Sequence, residues 1–234
     1  MDSRTRATGD TVVVVPMHNE GTVGAAVVSE LLRTFDHVVC VDDGSGDDSA
    51  RVARDAGAVV LRHSVNLGQG AALQTGFDYA LRHTTAERVV TFDSDGQHDV
   101  GDAHAMVQVA KDTGVDVVLG SRVRHGDHGA PLLRRMILLA ALHYSRWSSG
   151  LDLTDTHNGL RVLSRAALET IRITQPGMAH ASELEAAISR HRLSWVEHPV
   201  TITYTDYSRA KGQSNVNAFN VLFDLAVAKL QTAP

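Results

Sequence analysis

Apolar residues in the first half of the chain fall into short unbroken runs separated by stretches with helical spacing. Residues 11–16 read Thr-Val-Val-Val-Val-Pro, a β-branched run of the kind found in strands buried on both faces of a parallel sheet. Residues 23–35 place apolar positions at helical spacing, and 38–42 form a second apolar strand. Helical patterns recur at 49–56, 69–83 and 103–112, and strand patterns at 59–62, 88–92 and 115–120. Regular alternation of strand and helix predicts an α/β fold with a mostly parallel sheet and helices on both faces. Ligands on such sheets bind beyond the carboxyl ends of the strands, so the loops after those ends are where chemistry is expected.

The pattern changes after residue 121. Residues 126–131 read as a loop, and 132–148 as a helix whose apolar stretch is flanked by Arg134, Arg135 and Arg146. Residues 152–161 are polar and turn-like, 182–192 helical, and 195–204 a strand. A polar, glycine-containing loop follows at 207–215, and 216–230 is an amphipathic helix. With no repeat and no low-complexity tract, one domain is expected over 11–234 behind a flexible 1–10. Its halves are 11–121 and 122–234.

Composition narrows the class. The chain has 234 residues, 43% hydrophobic and 21% charged, enough to bury a core without staples. Its single cysteine, Cys40, excludes a disulfide scaffold and a four-cysteine zinc site. A net charge of -5 and 5% aromatic residues argue against nucleic acid as a partner, since phosphate contacts need a basic face and single strands need stacking platforms. Charge is also divided. Residues 1–121 hold 18 acidic and 9 basic side chains, and 122–234 hold 9 and 13, which suggests cation binding in the first half and anion binding in the second. The thirteen histidines are scattered, without a metal-binding helical pair, and most read as surface residues. The uncharged run at 136–145 is about half the length that a bilayer core requires. The N-terminus, MDSRTRATGD, lacks the apolar stretch of a signal peptide. The cytoplasm is the expected compartment.

The strongest candidate chemistry is Asp93-Ser94-Asp95, directly after the strand 88–92. Two carboxylates at i and i+2 in a turn can converge on one divalent cation. Magnesium and manganese favour such oxygen ligands, completed by water and substrate phosphates. Gln97 or His98 could add a ligand. A second cluster, Asp42-Asp43-Gly44-Ser45, reads either as a helix-capping turn or as carboxylates accepting hydrogen bonds from a nucleobase or ribose. A third, Pro16-Met17-His18-Asn19-Glu20, follows the first strand and is by itself only a turn before a helix. Asn66 to Ala72, with Gly76 beyond, puts small residues at a helix start, where phosphate is favoured. The first strand–helix turn carries no dinucleotide fingerprint, and the chain has neither a P-loop nor a nucleophile elbow.

In combination these motifs are far more specific than singly. The segments PMHNE (16–20), DDGS (42–45), NLGQGAALQTG (66–76), DSDGQH (93–98), GSR (120–122), DTHNGLR (155–161), ELE (183–185) and RAKGQS (209–214) together resemble the family 2 glycosyltransferases of GT-A fold. The resemblance is greatest to the dolichyl- and polyprenyl-phosphate sugar synthases, the dolichol-phosphate mannosyltransferase-like branch, and runs in order from residue 12 to about 215. It implies a GT-A, Rossmann-like domain. It implies that Pro16, His18, Glu20, Asp42, Asp43 and Ser94 line the nucleotide pocket, and that Asp93 and Asp95, with Gln97, hold Mg2+ or Mn2+ on the donor diphosphate. Arg122 and Arg209 would meet phosphates of donor or acceptor, joined by Arg134 or Arg135, and Asp95, Arg122 and Arg209 would carry the catalysis. The chain departs from the family pattern at His18, where tyrosine is frequent, at Asn215, where lysine is common, and at Val100, where proline is usual.

The implied reaction is inverting transfer from a GDP- or UDP-sugar to a polyprenyl phosphate. A phosphate acceptor is ionised near neutral pH and needs no general base. A hydroxyl acceptor would need one, with Asp155, His157, Glu183 and Glu185 as candidates. The arginine-rich second half favours phosphate, because the planar guanidinium grips its oxygens in pairs. Arg161 is expected to pair with Asp155 and brace its loop. The apolar stretch 136–142 is either core-facing or an interfacial helix making peripheral membrane contact, which would place the enzyme at the cytoplasmic face. The last helix either seals the core or forms a homodimer seam. The alternatives are transfer to a soluble hydroxyl, a nucleotidyltransferase and an inactive nucleotide-sugar binding module. Three lysines, none before Lys111, count against the second, and the intact aspartate pair counts against the third.

Overall fold

The computed structural model describes residues 7–21, 23–122, 150–155, 158–177 and 179–203. The strands are β1 (Ala7–Met17), β2 (Phe35–Asp42), β3 (Val59–Arg62), β4 (Arg88–Thr91), β5 (Val117–Ser121), β6 (Arg161–Ser164) and β7 (Trp195–Pro199). The helices are α1 (Gly24–Thr34), α2 (Ser49–Asp55), α3 (Gln69–His83), α4 (Val100–Thr113), α5 (Arg165–Thr170) and α6 (His180–Arg190). The strands form one sheet in the order β3-β2-β1-β4-β6-β5-β7. Among the described strands only β6 runs antiparallel to its neighbours, β4 and β5.

The valine run builds both layers of the core. Successive strand side chains point to opposite faces, so Val13 and Val15 join Val28 and Leu31 of α1 and Met106 and Val107 of α4. Val12 and Val14 join Leu73 and Phe77 of α3 and Leu184 and Ile188 of α6. All four valines are fully buried, each contributing about 1.5 kcal/mol relative to exposure. Helix α3 lies close on β1. A Cβ at Gly76 would stand 2.2 Å from Val14 Cγ1, so this position must lack a side chain. The expected α/β architecture is therefore present.

Several boundaries differ from the sequence expectation. β1 begins at Ala7, inside the stretch expected to be flexible, and Ala7 is in register with Phe35 of β2. Phe35 opens β2 rather than closing α1, and its backbone is extended (φ −118°, ψ 139°). β6 and α5 were not expected, since the sequence pattern assigns no element to 162–181. β7 ends at Pro199 rather than 204. The chain then crosses to the loop after β4, where Thr203 N donates to Gln97 O at 2.9 Å and Ile202 makes an isolated bridge with His98. Val100 stands at the first helical position of α4, behind the Asp99 cap that accepts from Asp102 N. Proline is tolerated at this position, so the departure from the family pattern is local. The expected helices at 132–148 and 216–230 and the loops at 126–131 and 207–215 lie outside the described residues. Among the described residues no helix is long and apolar enough to cross a membrane.

Candidate active site

The loops after β1 and β2 are laced together. Asp43 N donates to Met17 O at 2.8 Å, and His18 Nδ1 lies 2.9 Å from Asp43 O. Asn19, in the left-handed region at φ 56°, receives Gly46 N on its side-chain oxygen and gives its own N–H to Ser45 Oγ, both at 2.9 Å. Glu20 is buried; its N–H donates to Ser49 Oγ at 2.8 Å, and its carbonyl accepts Gly24 N at the start of α1. Asp42 is fully buried. It accepts Ser45 N at 3.1 Å and lies 3.0 Å from Arg62 Nε in an ion pair that is not aligned as a hydrogen bond.

Both oxygens of Asp43 are engaged by the protein. His63 Nδ1 at 2.7 Å and Leu67 N at 2.8 Å meet Oδ1, and Gly68 N at 2.7 Å meets Oδ2. Burial alone would raise this carboxyl. Hydrogen bonds from Leu67, His63 and Gly68 outweigh it and hold Asp43 below the usual carboxylate value. The Asp42–Ser45 cluster is thus held by the protein's own hydrogen bonds. Asp42 caps the turn, and Asp43 anchors the loop leading into α3.

The aspartate pair stands at the carboxyl end of β4. Asp93 is half-buried. Gln69 Nε2 donates to its Oδ1 at 3.0 Å, and His98 Nε2 lies 3.1 Å from its Oδ2. The backbone of Gly159 presses on the same carboxylate, where a Cβ would come within 2.0 Å of Oδ2. That backbone is fixed by Thr91 Oγ1, which donates to Gly159 O at 2.6 Å. Ser94 is turned away to β1, donating to Pro16 O at 3.0 Å. Asp95 accepts Gln97 N at 3.0 Å and Gln97 Nε2 at 2.6 Å.

The two carboxylates are pulled apart in acidity. Burial would raise Asp93, but the hydrogen bond and charge of His98, with the charges of Arg161 and His180, hold it below its ordinary value. Asp95 is raised, first by burial and then by the Asp93 charge, with Glu20 adding to it. Arg161 of β6 is 3% exposed, and among the described residues its Nη1 has no hydrogen-bond partner. Burial lowers its affinity for its proton, opposed by the charges of Glu185, Asp93 and Asp155. Burial, with the Arg161 charge, also pushes His180 down to about 4.

This donor set fits a magnesium-like ion. Among the described residues no group of three or more His, Cys, Asp or Glu side chains gathers as a metal cage. Asp93 and Asp95 put two hard carboxylate donors on one loop, the kind of donor that Mg2+ takes alongside water and phosphate oxygens. A cation between them would relieve the repulsion that adds to burial in raising Asp95. As placed, Gln97 points its amide nitrogen at Asp95, and a turn of the amide presents the oxygen instead.

Beyond β5, Arg122 gives its backbone N–H, Nε and Nη2 to Asp155 at 2.9, 2.7 and 2.7 Å. The expected Arg161–Asp155 brace is therefore replaced by an Arg122–Asp155 pair, and Arg161 lies behind Asp93. Glu197 of β7 accepts Thr154 N and Thr154 Oγ1 at 2.8 Å and Asp155 N at 3.3 Å. Glu183 receives Thr174 N, Thr174 Oγ1 and Gln175 N, and Glu185 is buried. The structure thus brings Pro16, His18, Glu20, Asp42, Asp43, Asp93, Ser94, Asp95, Gln97 and Arg122 to the loops at one end of the sheet. Arg134, Arg135, His157 and Arg209 lie outside the described residues. Sequence reasoning missed the contacts of Gln69 and Gly159 with Asp93. The only signal was the small-residue setting of each.

A family model described as glycosyl transferase family 2 matches residues 12–172. The chain is 26% identical to the UDP-N-acetylglucosamine–dolichyl-phosphate N-acetylglucosaminyltransferase of Methanococcus voltae, covering 93% of this chain and 95% of that one. It is 28% identical to the polyprenol monophosphomannose synthase of Mycolicibacterium smegmatis, covering 94% and 87%. Among solved structures, glucosyl-3-phosphoglycerate synthase from Mycobacterium tuberculosis in complex with Mn2+ and UDP-glucose superposes with a TM-score of 0.63 at 22% identity, covering 86% and 72%. That likeness shows the fold, which is GT-A.

Proposed function

The chain belongs to glycosyl transferase family 2, and on that premise we propose that it transfers a sugar, with inversion, from a nucleotide-sugar donor to a polyprenyl phosphate. The observation that carries this reading is the Asp93/Asp95 pair at the carboxyl end of β4, one carboxyl held low and the other raised by burial and then by its neighbour's charge. The names of the two relatives, which act on dolichyl phosphate and form a polyprenol monophosphomannose, support the acceptor. Mn2+ with UDP-glucose in the structural neighbour supports a divalent ion with a nucleotide sugar.

Asp93, Asp95 and Gln97 would hold Mg2+ or Mn2+, which supplies Lewis-acid neutralisation of the departing diphosphate. The laced loops 16–20 and 42–45 form the nucleotide wall. Arg122, oriented by Asp155, reaches phosphate oxygens together with Arg209 and Arg134 or Arg135. The acceptor phosphate attacks the anomeric carbon from the face opposite the diphosphate. It carries its negative charge already, so no side chain need take a proton. The engagement of Asp155 by Arg122 and of Glu183 by the 174–175 backbone supports that, because two of the carboxylates a hydroxyl acceptor would call on are braces. Such an acceptor resides in a bilayer, so the enzyme would work at a membrane surface, the cytoplasmic face in this proposal.

The test is release of nucleoside diphosphate from UDP- and GDP-sugars with Mn2+ or Mg2+, with and without a short polyprenyl phosphate, and with 3-phosphoglycerate as a soluble comparison. Release that needs both metal and lipid phosphate is expected. Equal release without lipid overturns the acceptor. Undiminished turnover in Asp95→Ala overturns the metal site.

A further inference from the structure

Among the described residues, the one ion pair of Asp93 is with His98 on Oδ2. The hydrogen bond on Oδ1 comes from the amide of Gln69, the first residue of α3, at 3.0 Å. A carboxylate's terminal torsion is broad and roughly two-fold, so a fixed donor is what selects one orientation. The chemistry of this donor suits a cation site. A lysine or arginine there would add a further positive charge to Asp93, whereas a primary amide holds the oxygen without adding one. The opposite assignment of the Gln69 amide would set oxygen against oxygen, so the hydrogen bond fixes which way it faces.

The backbone on both sides of Gln69 is pinned. Gly68 N donates to Asp43 Oδ2 at 2.7 Å and to Asn66 Oδ1 at 3.0 Å. Gly70 N donates to Pro176 O at 2.8 Å. A Cβ at Gly68 would lie 2.3 Å from Pro176 O, and one at Gly70 would lie 2.0 Å from Gln175 O. The 175–176 segment therefore closes on Gln69 from both flanks and tolerates only glycine beside it. Asp43 is steadied in turn by His63, whose Nε2 lies 2.9 Å from Thr75 Oγ1 on α3. A continuous set of contacts thus runs from the loop after β2, through Gln69, to the loop after β4. We propose that Gln69 is a positioning residue that orients Asp93 for the divalent ion and ties the metal loop to the nucleotide-side loop. This rests on the metal reading above.

The test is Mn2+ binding to the full chain without donor, by calorimetry or electron paramagnetic resonance, for the unaltered protein, Gln69→Ala, Gln69→Met and Asp95→Ala. Methionine keeps the length and helix preference of glutamine without its donor, so it guards against a folding defect in the alanine variant. Partners that orient metal ligands typically contribute about 10–100-fold in affinity, so Mn2+ binding about tenfold weaker is expected in both Gln69 variants, with the metal-free melting temperature of Gln69→Met unchanged. Mn2+ affinity in Gln69→Met equal to that of the unaltered chain overturns this role while leaving the metal site standing. Failure of the unaltered chain to bind Mn2+, or full binding by Asp95→Ala, overturns the metal reading and this proposal with it.

Discussion

Two residues apart on one loop, Asp93 and Asp95 feel opposite fields. Asp93 is wrapped by Gln69, His98 and the backbone of Gly159, with the charge of Arg161 behind it. Asp95 is half-buried beside its neighbour's charge, and among the described residues Gln97 alone is bonded to it. The wrapping makes Gly159 a sensitive position, since the methyl of Gly159→Ala would need the space of Asp93 Oδ2, 2.0 Å away. Displacing a metal-holding carboxylate by about 1 Å costs roughly 100-fold in rate. Gly159→Ala is therefore expected to lose about that much turnover and to need more Mn2+ for half-saturation. Unchanged kinetics would show that Asp93 does not need its present place. The aspartates themselves were legible in the sequence, because an i, i+2 carboxylate pair after an apolar strand is a local pattern. Gln69 and Gly159 were not, because their contacts with Asp93 span 24 and 66 positions and no local period encodes them. Arg161 was placed wrongly for a related reason. Its strand sets it into the core, while the nearer arginine in space, Arg122, takes Asp155.

At the scale of elements, the parallel half was legible because each of its strands is an apolar run followed by a helical period. β6 escaped because four residues, Arg-Val-Leu-Ser, are too short to show alternation, and because it enters antiparallel between β4 and β5, outside the strand–helix rhythm. The six-residue α5 is shorter than two helical turns. Helix α6 was visible, but the use of its side chains was not. Glu183 reads from sequence as a candidate base. In the structure it gathers Thr174 N, Thr174 Oγ1 and Gln175 N, fixing the segment that closes on Gly68 and Gly70. Loss of a general base costs about 10²–10⁴-fold in rate. Glu183→Gln is expected instead to keep most of its turnover and to lose about 1–3 kcal/mol of stability, the range for weakened charged hydrogen bonds. Steady-state rates and urea melts of the variant separate the two roles. A rate loss of about 100-fold or more with an unchanged melt would make Glu183 the base.

For the molecule as a whole, the joint between α6 and the start of α3 sets a response to acid. His180 opens α6, is 3% exposed, and places Nδ1 2.8 Å from Gly177 O. Burial, joined by the charge of Arg161, pushes its pKa from 6.5 to about 4, against smaller opposing effects of the Gly177 hydrogen bond, Asp93 and Glu183. The folded protein thus carries a neutral imidazole there at neutral pH. Between pH 6.5 and 4 the unfolded chain binds this proton and the folded chain does not, so stability rises with pH across that window and is fully present above it. The corresponding loss on acidification is roughly 3 kcal/mol. Carboxylates held low, such as Asp43, act with the same sign but at lower pH, where their folded forms take up protons. Urea melts of the metal-free protein from pH 7.5 to about 3 should therefore show a steady decline beginning near pH 6.5. Gln can still donate to Gly177 O but has no proton to gain, so His180→Gln should flatten that decline while keeping the steeper one below pH 4. If the variant and the parent fall in parallel from pH 6.5, the acid response lies elsewhere and His180 is already charged in the folded state.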